Sequence, residues 1–567
     1  MAPSAAKLFP ARDLGFARAV ADLAYCNPFM PQRIDLERRA LGESFVEQES
    51  DWNLRGEILG DHPNVEAITT RTQRLLEQAR AKLIQQSEKG PTIPPDDDQL
   101  TLYVDLSLVV LYHRYRDALL DAMHLVQRPK AGHLPKVAMY SDFERDASHL
   151  FGPIAQAIAT GANGPGGPQS NSLIPVEPEG IAHLFACFFQ VKRAFRHIFR
   201  HVFGQSVPAA RFRAAIWQSI FTHDARRYRR VLFNRMADIT TLVVGESGTG
   251  KEVAARAIGL SRYIPFDHDT GTFVEHYEQS FSAVNLSALS PTLIESELFG
   301  HCRGAFTGAL SDRAGWLESC PALGTVFLDE IGDLHPSIQV KLLRVLQTRT
   351  FERIGDTKQR RFDGKIIAAT NRDVYALIQQ GHIRQDFYYR ICSDTVHSPT
   401  LREQLDDRPD DLEGLVSYLA ARLIGEQESR PLVEETIDYI STSMPPDYGW
   451  PGNIRELDQC VRNVLIRGEY EPAAQWTTPR TPDNDAGHDA EQVTDGGSGG
   501  RDSVSEMMQQ MKAGRLSVDE LTNQYCTLVY AQCGSYQEAG RRLGLDRRTV
   551  KERIDHALLE QLQSDTS

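Results

Sequence analysis

Residues 245–252 read GESGTGKE, and this stretch decides the fold of the middle of the chain. The apolar run TTLVVG leads into it, and EVAARAIGLSR, which has helical periodicity, follows it. Gly245, Gly248 and Gly250 let the backbone curl with its N–H groups pointing inward, and Lys251 adds a positive charge. The N-terminal end of the following helix strengthens this positive field. The stretch therefore predicts a loop that holds the phosphates of ATP between a buried strand and a helix.

Glu252 departs from the general form of such loops. A serine or threonine usually follows the lysine, and its hydroxyl binds the metal ion. Taken alone, the motif therefore leaves open a glycine-rich turn that binds no nucleotide. The nucleotide-binding residues predicted in this loop are Gly245, Glu246, Ser247, Gly248, Thr249, Gly250, Lys251 and Glu252.

Two further apolar runs end in polar residues, as the buried strands of a parallel sheet do. In TVFLDE, residues 325–330, we predict that Asp329 holds Mg²⁺ and that Glu330 polarises the attacking water. In IIAATN, residues 366–371, Asn371 is predicted to sense the γ-phosphate or to position water. A structural ion pair is the alternative for the two carboxylates. The three motifs in this order predict ATP hydrolysis with Mg²⁺ as cofactor.

The length of 567 residues predicts roughly three to five domains, because one core rarely serves so long a chain. The first region is mainly helical, the second alternates short apolar strands with helices, and the third is helical again. A polar segment rich in Pro and Gly then predicts a disordered linker before a last helical unit. The predicted boundaries are 1–205, 208–398, 399–470, 471–503 and 504–567.

No window reaches the roughly 18 consecutive apolar residues that a membrane span needs, and the first residues lack the apolar centre of a secretory signal. We therefore expect a cytoplasmic protein with no membrane partner. The eight cysteines are scattered and form no CxxC pair, which indicates reduced structural thiols rather than a zinc or redox site.

Residues 304–309 read GAFTGA and lie between the first two nucleotide motifs. An aromatic side chain flanked by glycines and small residues is costly as ordinary surface. Phe306 is therefore predicted to be an exposed side chain at a mobile tip, presented to a partner.

Together with GESGTGKE, SELFGH, FLDEIGDL and WPGNIREL, this hexapeptide closely resembles the bacterial enhancer-binding proteins, the AAA+ activators of sigma-54 RNA polymerase. The resemblance covers about residues 210–470 and the C-terminal unit, and the loops of this family commonly carry a glutamate after the lysine. It implies that ATP hydrolysis moves the loop against sigma-54 and remodels the closed promoter complex into the open one. The residues that inherit the sigma-54 contact are Gly304, Ala305, Phe306, Thr307, Gly308 and Ala309.

The segment IRQDFYYRI, residues 383–391, is similar to a further motif of the family. The resemblance places Arg384 and Arg390 where arginine fingers reach the γ-phosphate bound by a neighbouring subunit. It thereby implies a homo-oligomer, a hexameric ring with a dimer as the possible resting state. Without the motif, surface ion pairs would be the default interpretation of both arginines.

The resemblance also gives a family name to the position of Asn371 and assigns roles to two more residues. Asn371 corresponds to the residue called sensor 1. Arg455, in WPGNIREL, corresponds to sensor 2 and is expected to face the nucleotide. Asn285, in FSAVNLSAL, matches the asparagine that pairs with the catalytic glutamate, here Glu330.

The C-terminal stretch SYQEAGRRLGLDRRTVKERI, residues 535–554, predicts two helices joined by a turn at Gly544 and looks like a helix-turn-helix of the Fis type. The net charge of the whole chain is -14, yet residues 541–553 carry six basic residues and two acidic ones. Positive charge is thus concentrated where contacts with DNA phosphates need it. A solvated basic helix is the alternative. The predicted DNA-binding residues are Arg541, Arg542, Arg547, Arg548, Thr549 and Lys551.

These features predict a multidomain protein with a helical N-terminal regulatory domain, an α/β AAA+ P-loop ATPase with a helical lid, and a C-terminal all-α helix-turn-helix. The function implied is a sigma-54-dependent transcriptional activator whose partners are the sigma-54 RNA polymerase holoenzyme and enhancer DNA. The alternative is a DNA-bound repressor or scaffold that keeps the AAA+ fold without productive remodelling. The intact Lys251, Asp329, Glu330 and Phe306 favour the activator, and an AAA+ unfoldase or chelatase would not account for GAFTGA beside a DNA reader. The signal received by residues 1–205 is left open.

Overall fold

The computed structural model describes residues 7–47, 62–88, 96–127, 134–161, 174–276, 280–472, 518–533, 535–555 and 559. The chain divides into two compact units, Met1–Thr477 and Thr478–Ser567. Nearly all of the predicted linker, from residue 473 onward, lies outside the described residues. Among the described helices, none combines the length and the apolar run that crossing a membrane requires.

The N-terminal region is helical, as predicted, and its described residues form two short helices followed by four long ones. Its bundle encloses one apolar core rich in Leu and Phe. The Gln99 side chain fixes the start of the described chain by accepting hydrogen bonds from the backbone N–H groups of Leu8 and Phe9, at 3.1 and 3.0 Å. The helices are α1 (Leu14–Leu23), α2 (Gln32–Leu41), α3 (Pro63–Glu88), α4 (Asp97–Gln127), α5 (Tyr140–Gly161) and α6 (Pro178–His201).

The apolar core continues from this bundle into the next region. The predicted boundary near residue 205 falls between α6 and the following helix, α7 (Val207–Phe221), whose N-cap is Ser206. Phe189 of α6 nevertheless stacks on Phe273 of the small hairpin that follows, with ring centroids 4.1 Å apart. The bundle is thus packed directly against the α/β region.

The centre of the α/β region is a five-stranded parallel sheet with the strand order β11-β1-β10-β7-β4. The middle strands are buried along almost their whole length, which explains their continuous apolar sequences. Parallel pairing sets Val244 opposite Thr370 and Asn285 opposite Asp329, so the carboxyl ends of four strands meet at one edge. This is the parallel-sheet AAA+ type of domain that was predicted. The strands are β1 (Thr241–Val244), β4 (Phe281–Asn285), β7 (Thr325–Asp329), β10 (Lys365–Thr370) and β11 (Asp394–His397).

The described residues also form three two-stranded hairpins outside the five-stranded sheet. Their strands are β2 (Phe266–Asp267) with β3 (Thr272–Phe273), β5 (Gly300–His301) with β6 (Arg313–Ala314), and β8 (Thr350–Phe351) with β9 (Arg360–Arg361). The helices of this region are α8 (Lys251–Gly259), α9 (Pro291–Phe299), α10 (Pro336–Thr348), α11 (Val374–Gln379) and α12 (Gln385–Ile391), besides the short turns Ala225–Arg227, Tyr228–Leu232 and Trp316–Ser319.

In the described part of the chain, four helices follow the sheet and form a separate apolar core, in the region where the sequence predicted a helical lid. The first begins with a capping box, in which the Thr400 side chain accepts from the Glu403 N–H and the Glu403 side chain accepts from the Thr400 N–H. The lid helices are α13 (Leu401–Asp407), α14 (Asp411–Ile424), α15 (Ser429–Ser443) and α16 (Asn453–Arg467).

The second unit contains α17 (Val518–Cys533), α18 (Tyr536–Leu543) and α19 (Arg547–Glu552). Gly544 ends α18 in the left-handed conformation, at φ 67°. A Cβ at Gly540 would lie 2.7 Å from the Leu545 carbonyl oxygen, so only glycine allows the turn to close this tightly. Two short helices joined by a turn therefore lie where the sequence predicted them.

Candidate functional site

The loop between β1 and α8 has the conformation that its glycines predict. Gly248 and Gly250 have φ values of 81° and 95°, which are unfavourable for other residues. A Cβ at Gly248 would lie 2.2 Å from the carbonyl oxygen of Gly452 in the lid. The loop and the lid therefore touch at Gly248, where no side chain fits.

Lys251 is the first residue of α8, and its side chain turns back into the loop. It is buried, and its Nζ donates to the carbonyl oxygens of Gly245 and Glu246, both at 3.0 Å. Burial lowers the pKa of Lys251, while the carboxylates of Glu330 and Asp329 act in the opposite direction. The two carbonyl contacts are ones that phosphate oxygens can replace, since an ammonium group has three donors on a flexible stem.

Asp329 and Glu330 stand at the end of β7 and face the same region. Burial and the neighbouring Glu330 charge raise the pKa of Asp329. Glu330 has a left-handed backbone, at φ 56° and ψ 51°, and its carboxylate accepts from the backbone N–H of Asn371 at 3.3 Å. A non-glycine residue in this region stores roughly 1–3 kcal/mol of strain, which is typical of functional positions. Three sequence-predicted residues, Asp329, Glu330 and Asn371, thus meet Lys251 at one sheet edge.

The donor set at this edge fits a nucleotide with Mg²⁺. A lysine, backbone N–H groups and a helix N-terminus suit phosphates. In the described part of the chain no group of three or more metal-ligating side chains occurs. Mg²⁺ is usually held by one or two carboxylates together with substrate phosphates and water, which Asp329 can provide with ATP. Glu252, in the usual hydroxyl position, forms an ion pair with Arg256 at 3.4 Å.

The lid closes one side of the loop. Arg455 donates from Nη1 to the Ser247 hydroxyl at 2.8 Å, so the residue predicted to face the nucleotide does lie at the loop. Asn453 adds hydrogen bonds to the Glu246 carboxylate at 3.0 Å and to the Ser247 carbonyl at 3.1 Å. We did not single out Asn453 from the sequence, although it lies within WPGNIREL.

Asn285 lies beside Asp329 in the sheet register, as expected for a strand-end residue. Its amide oxygen accepts from the N–H and the hydroxyl of Ser287, at 3.0 and 2.8 Å. The structure therefore pairs Asn285 with Ser287 and not with Glu330.

Arg384 and Arg390 flank the exposed side of α12. Arg384 forms two hydrogen bonds with Asp386, at 3.0 and 2.8 Å, and Arg390 forms two with the Leu346 carbonyl, at 3.1 and 3.0 Å. Both are thus held on the surface by partners close by in the same domain. A role at a neighbouring subunit stays a prediction.

The loop that carries GAFTGA projects from the hairpin β5–β6. Thr307 and Gly308 are exposed, whereas Ala309 is buried. The prediction of an exposed Phe306 holds only in part, because its ring is half-buried and meets the His301 ring edge-on at 5.0 Å. This contact removes part of the cost of exposing an aromatic ring to water. Phe306 therefore rests at the base of its own loop.

A second hairpin, β8–β9, supports this loop and was missed in the sequence. Ile354 donates from its N–H to the Gly300 carbonyl at 2.9 Å and accepts from the Cys302 N–H at 3.0 Å. Arg353 forms two hydrogen bonds with Glu318, both at 2.7 Å. Arg353 and Glu318 are far apart in the sequence, so no local sequence pattern predicts that they form an ion pair.

The basic residues of the second unit divide into two groups. Arg541 and Arg542 contact Glu538, Arg548 contacts Glu552, and the Thr549 hydroxyl donates to Asp546 at the start of α19. Arg547 and Lys551 are exposed, and neither has an ion-pair partner within residues 518–555 as far as these are described. These two are therefore the most available for a ligand phosphate.

Comparison with known proteins agrees with the predicted resemblance. Residues 222–397 match the family described as Sigma-54 interaction domain. The chain is 43% identical over 230 residues to the Nif-specific regulatory protein of Azotobacter vinelandii, covering 41% of this chain and 40% of that one. It is 36% identical over 322 residues to the transcriptional regulatory protein ZraR of Klebsiella oxytoca, covering 55% and 62%. It is 37% identical over 242 residues to the regulatory protein LuxO of Vibrio parahaemolyticus, covering 42% and 48%. The chain thus spans about half the length of these curated relatives.

Proposed function

We propose, from the match of residues 222–397 to the family described as Sigma-54 interaction domain, that the whole chain is an ATP-driven activator of sigma-54 RNA polymerase. It binds enhancer DNA through its second unit and remodels closed promoter complexes into open ones. The observation that carries the proposal is the meeting of Lys251, Asp329 and Glu330 at the sheet edge, in the same domain as the GAFTGA loop.

The chemistry assigns one task to each residue. Lys251 and the loop N–H groups bind the phosphates of ATP, and Arg455 adds a positive charge from the lid. Asp329 would hold Mg²⁺, which supplies Lewis-acid stabilisation of phosphoryl charge when bound. Glu330 orients and polarises the attacking water, held in place by the Asn371 N–H.

The topology connects this site with the loop. Strand β4 pairs with β7 along its whole length and ends at Asn285, beside Asp329. The chain then enters α9, which ends at Phe299 and leads through Gly300 directly into the loop hairpin. A change at the strand tips on hydrolysis would therefore reach Phe306 through α9.

We expect Arg390→Ala and Arg384→Ala to lower ATP turnover by about 10- to 150-fold, as the loss of one charge-assisted hydrogen bond predicts. The physical reason is that a guanidinium supplied by a neighbouring subunit stabilises charge that grows on the γ-phosphate. Turnover measured against protein concentration should rise steeply for the unchanged protein. The control is Arg361→Ala, which removes an exposed arginine paired with Asp363.

A mixing experiment separates a trans role from a structural one. Arg390→Ala protein mixed with Lys251→Ala protein should recover part of the turnover, because each supplies the group that the other lacks. No recovery, together with a normal oligomer, would assign Arg390 a role within its own subunit.

We expect the double variant Arg547→Ala/Lys551→Ala to bind an enhancer site about tenfold more weakly and with a smaller salt dependence, because phosphate contacts release counterions. Fluorescence anisotropy over a series of salt concentrations measures both effects. The matched control is Arg430→Ala, which removes an exposed arginine of the lid paired with Glu434 at 3.0 Å and leaves the second unit unchanged. Unchanged affinity of the double variant would favour the interpretation of α19 as a solvated basic helix.

Reconstituted transcription tests the proposal as a whole. The full chain, sigma-54 RNA polymerase and a promoter with an upstream site should give open complexes with ATP and none with a non-hydrolysable analogue. A promoter read by another sigma factor is the control. ATP turnover and DNA binding without open complexes would instead support the repressor or scaffold.

A further inference from the structure

A cavity of about 270 Å³ lies between the N-terminal bundle, including α6, and α7. Its volume is just below the usual range for ligand sites, about 300–1,000 Å³. Most of its wall is apolar, and part of it is aromatic. The aromatic lining includes Tyr112, Phe188, Phe195, Phe199, Trp217 and Phe221.

Positive charge dominates the polar part of this wall. Glu37 is the acidic residue among the lining residues, and it is already paired with Arg33 deep in the wall. Arg196 and Arg229 also line the cavity, and the Arg196 Nη1 and Arg229 Nε atoms are buried without a hydrogen-bond partner. A buried guanidinium N–H without a partner is costly, and an anion would relieve that cost.

His113 also lines the cavity but does not change the net charge of its wall. Burial, with a smaller contribution from Arg116, lowers the pKa of His113 to about 4, so its ring is neutral at pH 7. The cavity thus combines an apolar body with arginine N–H donors. That combination suits a small organic anion better than a neutral or cationic ligand.

Helix α6 connects the cavity with the nucleotide loop. Phe195 and Arg196 line the cavity, while Ala194 and Ile198 share one apolar core with Ala254 of the P-loop helix α8. Just beyond α8, the Ser261 carbonyl accepts a hydrogen bond from Gln190 of α6 at 2.8 Å. A shift of α6 therefore reaches the helix that begins at the phosphate-binding lysine.

We propose that this cavity binds a small organic carboxylate with an aromatic or alkyl body, and that its occupancy alters ATP turnover through α6. The effect on ATP turnover rests on the proposed function, whereas the binding of the carboxylate does not. The apolar body would fill the space among the aromatic rings, and the carboxylate would accept from Arg196 and Arg229. The N-terminal region would then be a chemical sensor in direct contact with the motor.

Calorimetric titration of the full chain tests the binding. The probes are 1-naphthoate and decanoate, each compared with its neutral amide. At least one carboxylate should bind about tenfold or more tightly than its amide, as one charge-assisted hydrogen bond predicts. Arg196→Met should weaken that binding about tenfold, whereas Arg200→Met, on an exposed position of the same helix, should not.

Val191→Trp provides a second test that leaves every charge in place and puts an indole ring into the cavity that Val191 lines. It should abolish carboxylate binding while the melting temperature stays close to that of the unchanged protein. Equal binding of amide and carboxylate, or full binding by both Arg196→Met and Val191→Trp, would overturn the proposed site.

ATP turnover with and without saturating carboxylate tests the coupling. A change in turnover that Val191→Trp removes would support it. Carboxylate binding with unchanged turnover, in a protein that hydrolyses ATP, would overturn the coupling. Carboxylate binding by a protein that never hydrolyses ATP would support the cavity and contradict the proposed function, so the two failures are distinguishable.

Discussion

Glu330→Gln is expected to lower ATP turnover by about 10²- to 10⁴-fold, the usual contribution of a positioned general base, while ATP binding is retained. Glutamine keeps the shape of the side chain but cannot polarise the attacking water as a carboxylate does. The strained backbone of Glu330 and the hydrogen bond from the Asn371 N–H hold the carboxylate in one orientation. Single-turnover hydrolysis and binding of a fluorescent ATP analogue, measured on the same preparation, separate chemistry from affinity.

Two further variants make this result specific. Lys251→Ala should lose nucleotide binding as well as turnover, because it removes the charge that holds the phosphates. Glu434→Gln, in the lid, removes an exposed carboxylate paired with Arg430 and should change neither quantity. Turnover by Glu330→Gln equal to that of the unchanged protein would assign the activation of water to another residue.

The nucleotide site could be predicted because its residues follow strands. Parallel pairing brings the ends of buried strands to one edge of the sheet. The sequence therefore predicts that the loop before Lys251 lies close to Asp329 and Asn371. How the bundle packs against the sheet region could not be predicted in this way. The sequence shows where helices give way to strands, but the packing of Phe189 on Phe273 depends on contacts between distant segments.

Other parts of the site depend on side-chain partners that no local pattern reveals. The ion pair of Arg353 with Glu318 fixes the hairpin under the GAFTGA loop, and His301 covers part of Phe306. The cavity beside α6 is equally absent from the sequence pattern, because its arginines occur in separate helices whose spacing in the chain carries no signal.

Phe306→Ala is expected to reduce open-complex formation by about 30- to 1,000-fold, the effect of losing an aromatic hot spot worth about 2–4 kcal/mol, with ATP turnover largely retained. Phe306 lies outside the nucleotide site, and its ring contacts His301 rather than any residue of the phosphate loop. Its half-buried resting position implies that the ring must leave His301 before it can insert into a partner. Edge-to-face aromatic contacts contribute about 0.5–1.5 kcal/mol, which is small enough for ATP turnover to break.

The same argument predicts the behaviour of its neighbours. Leu310→Ala removes a side chain that is 86% exposed and stands just outside the hexapeptide, so open-complex formation should stay near its original level. His301→Ala should release the Phe306 ring without removing it, and open complexes should persist. Permanganate footprinting of the melted promoter, run beside an ATPase assay, measures both activities. If Phe306→Ala and Leu310→Ala opened the promoter equally well, the contact with sigma-54 would have to be made by other residues of the loop, such as the exposed Thr307.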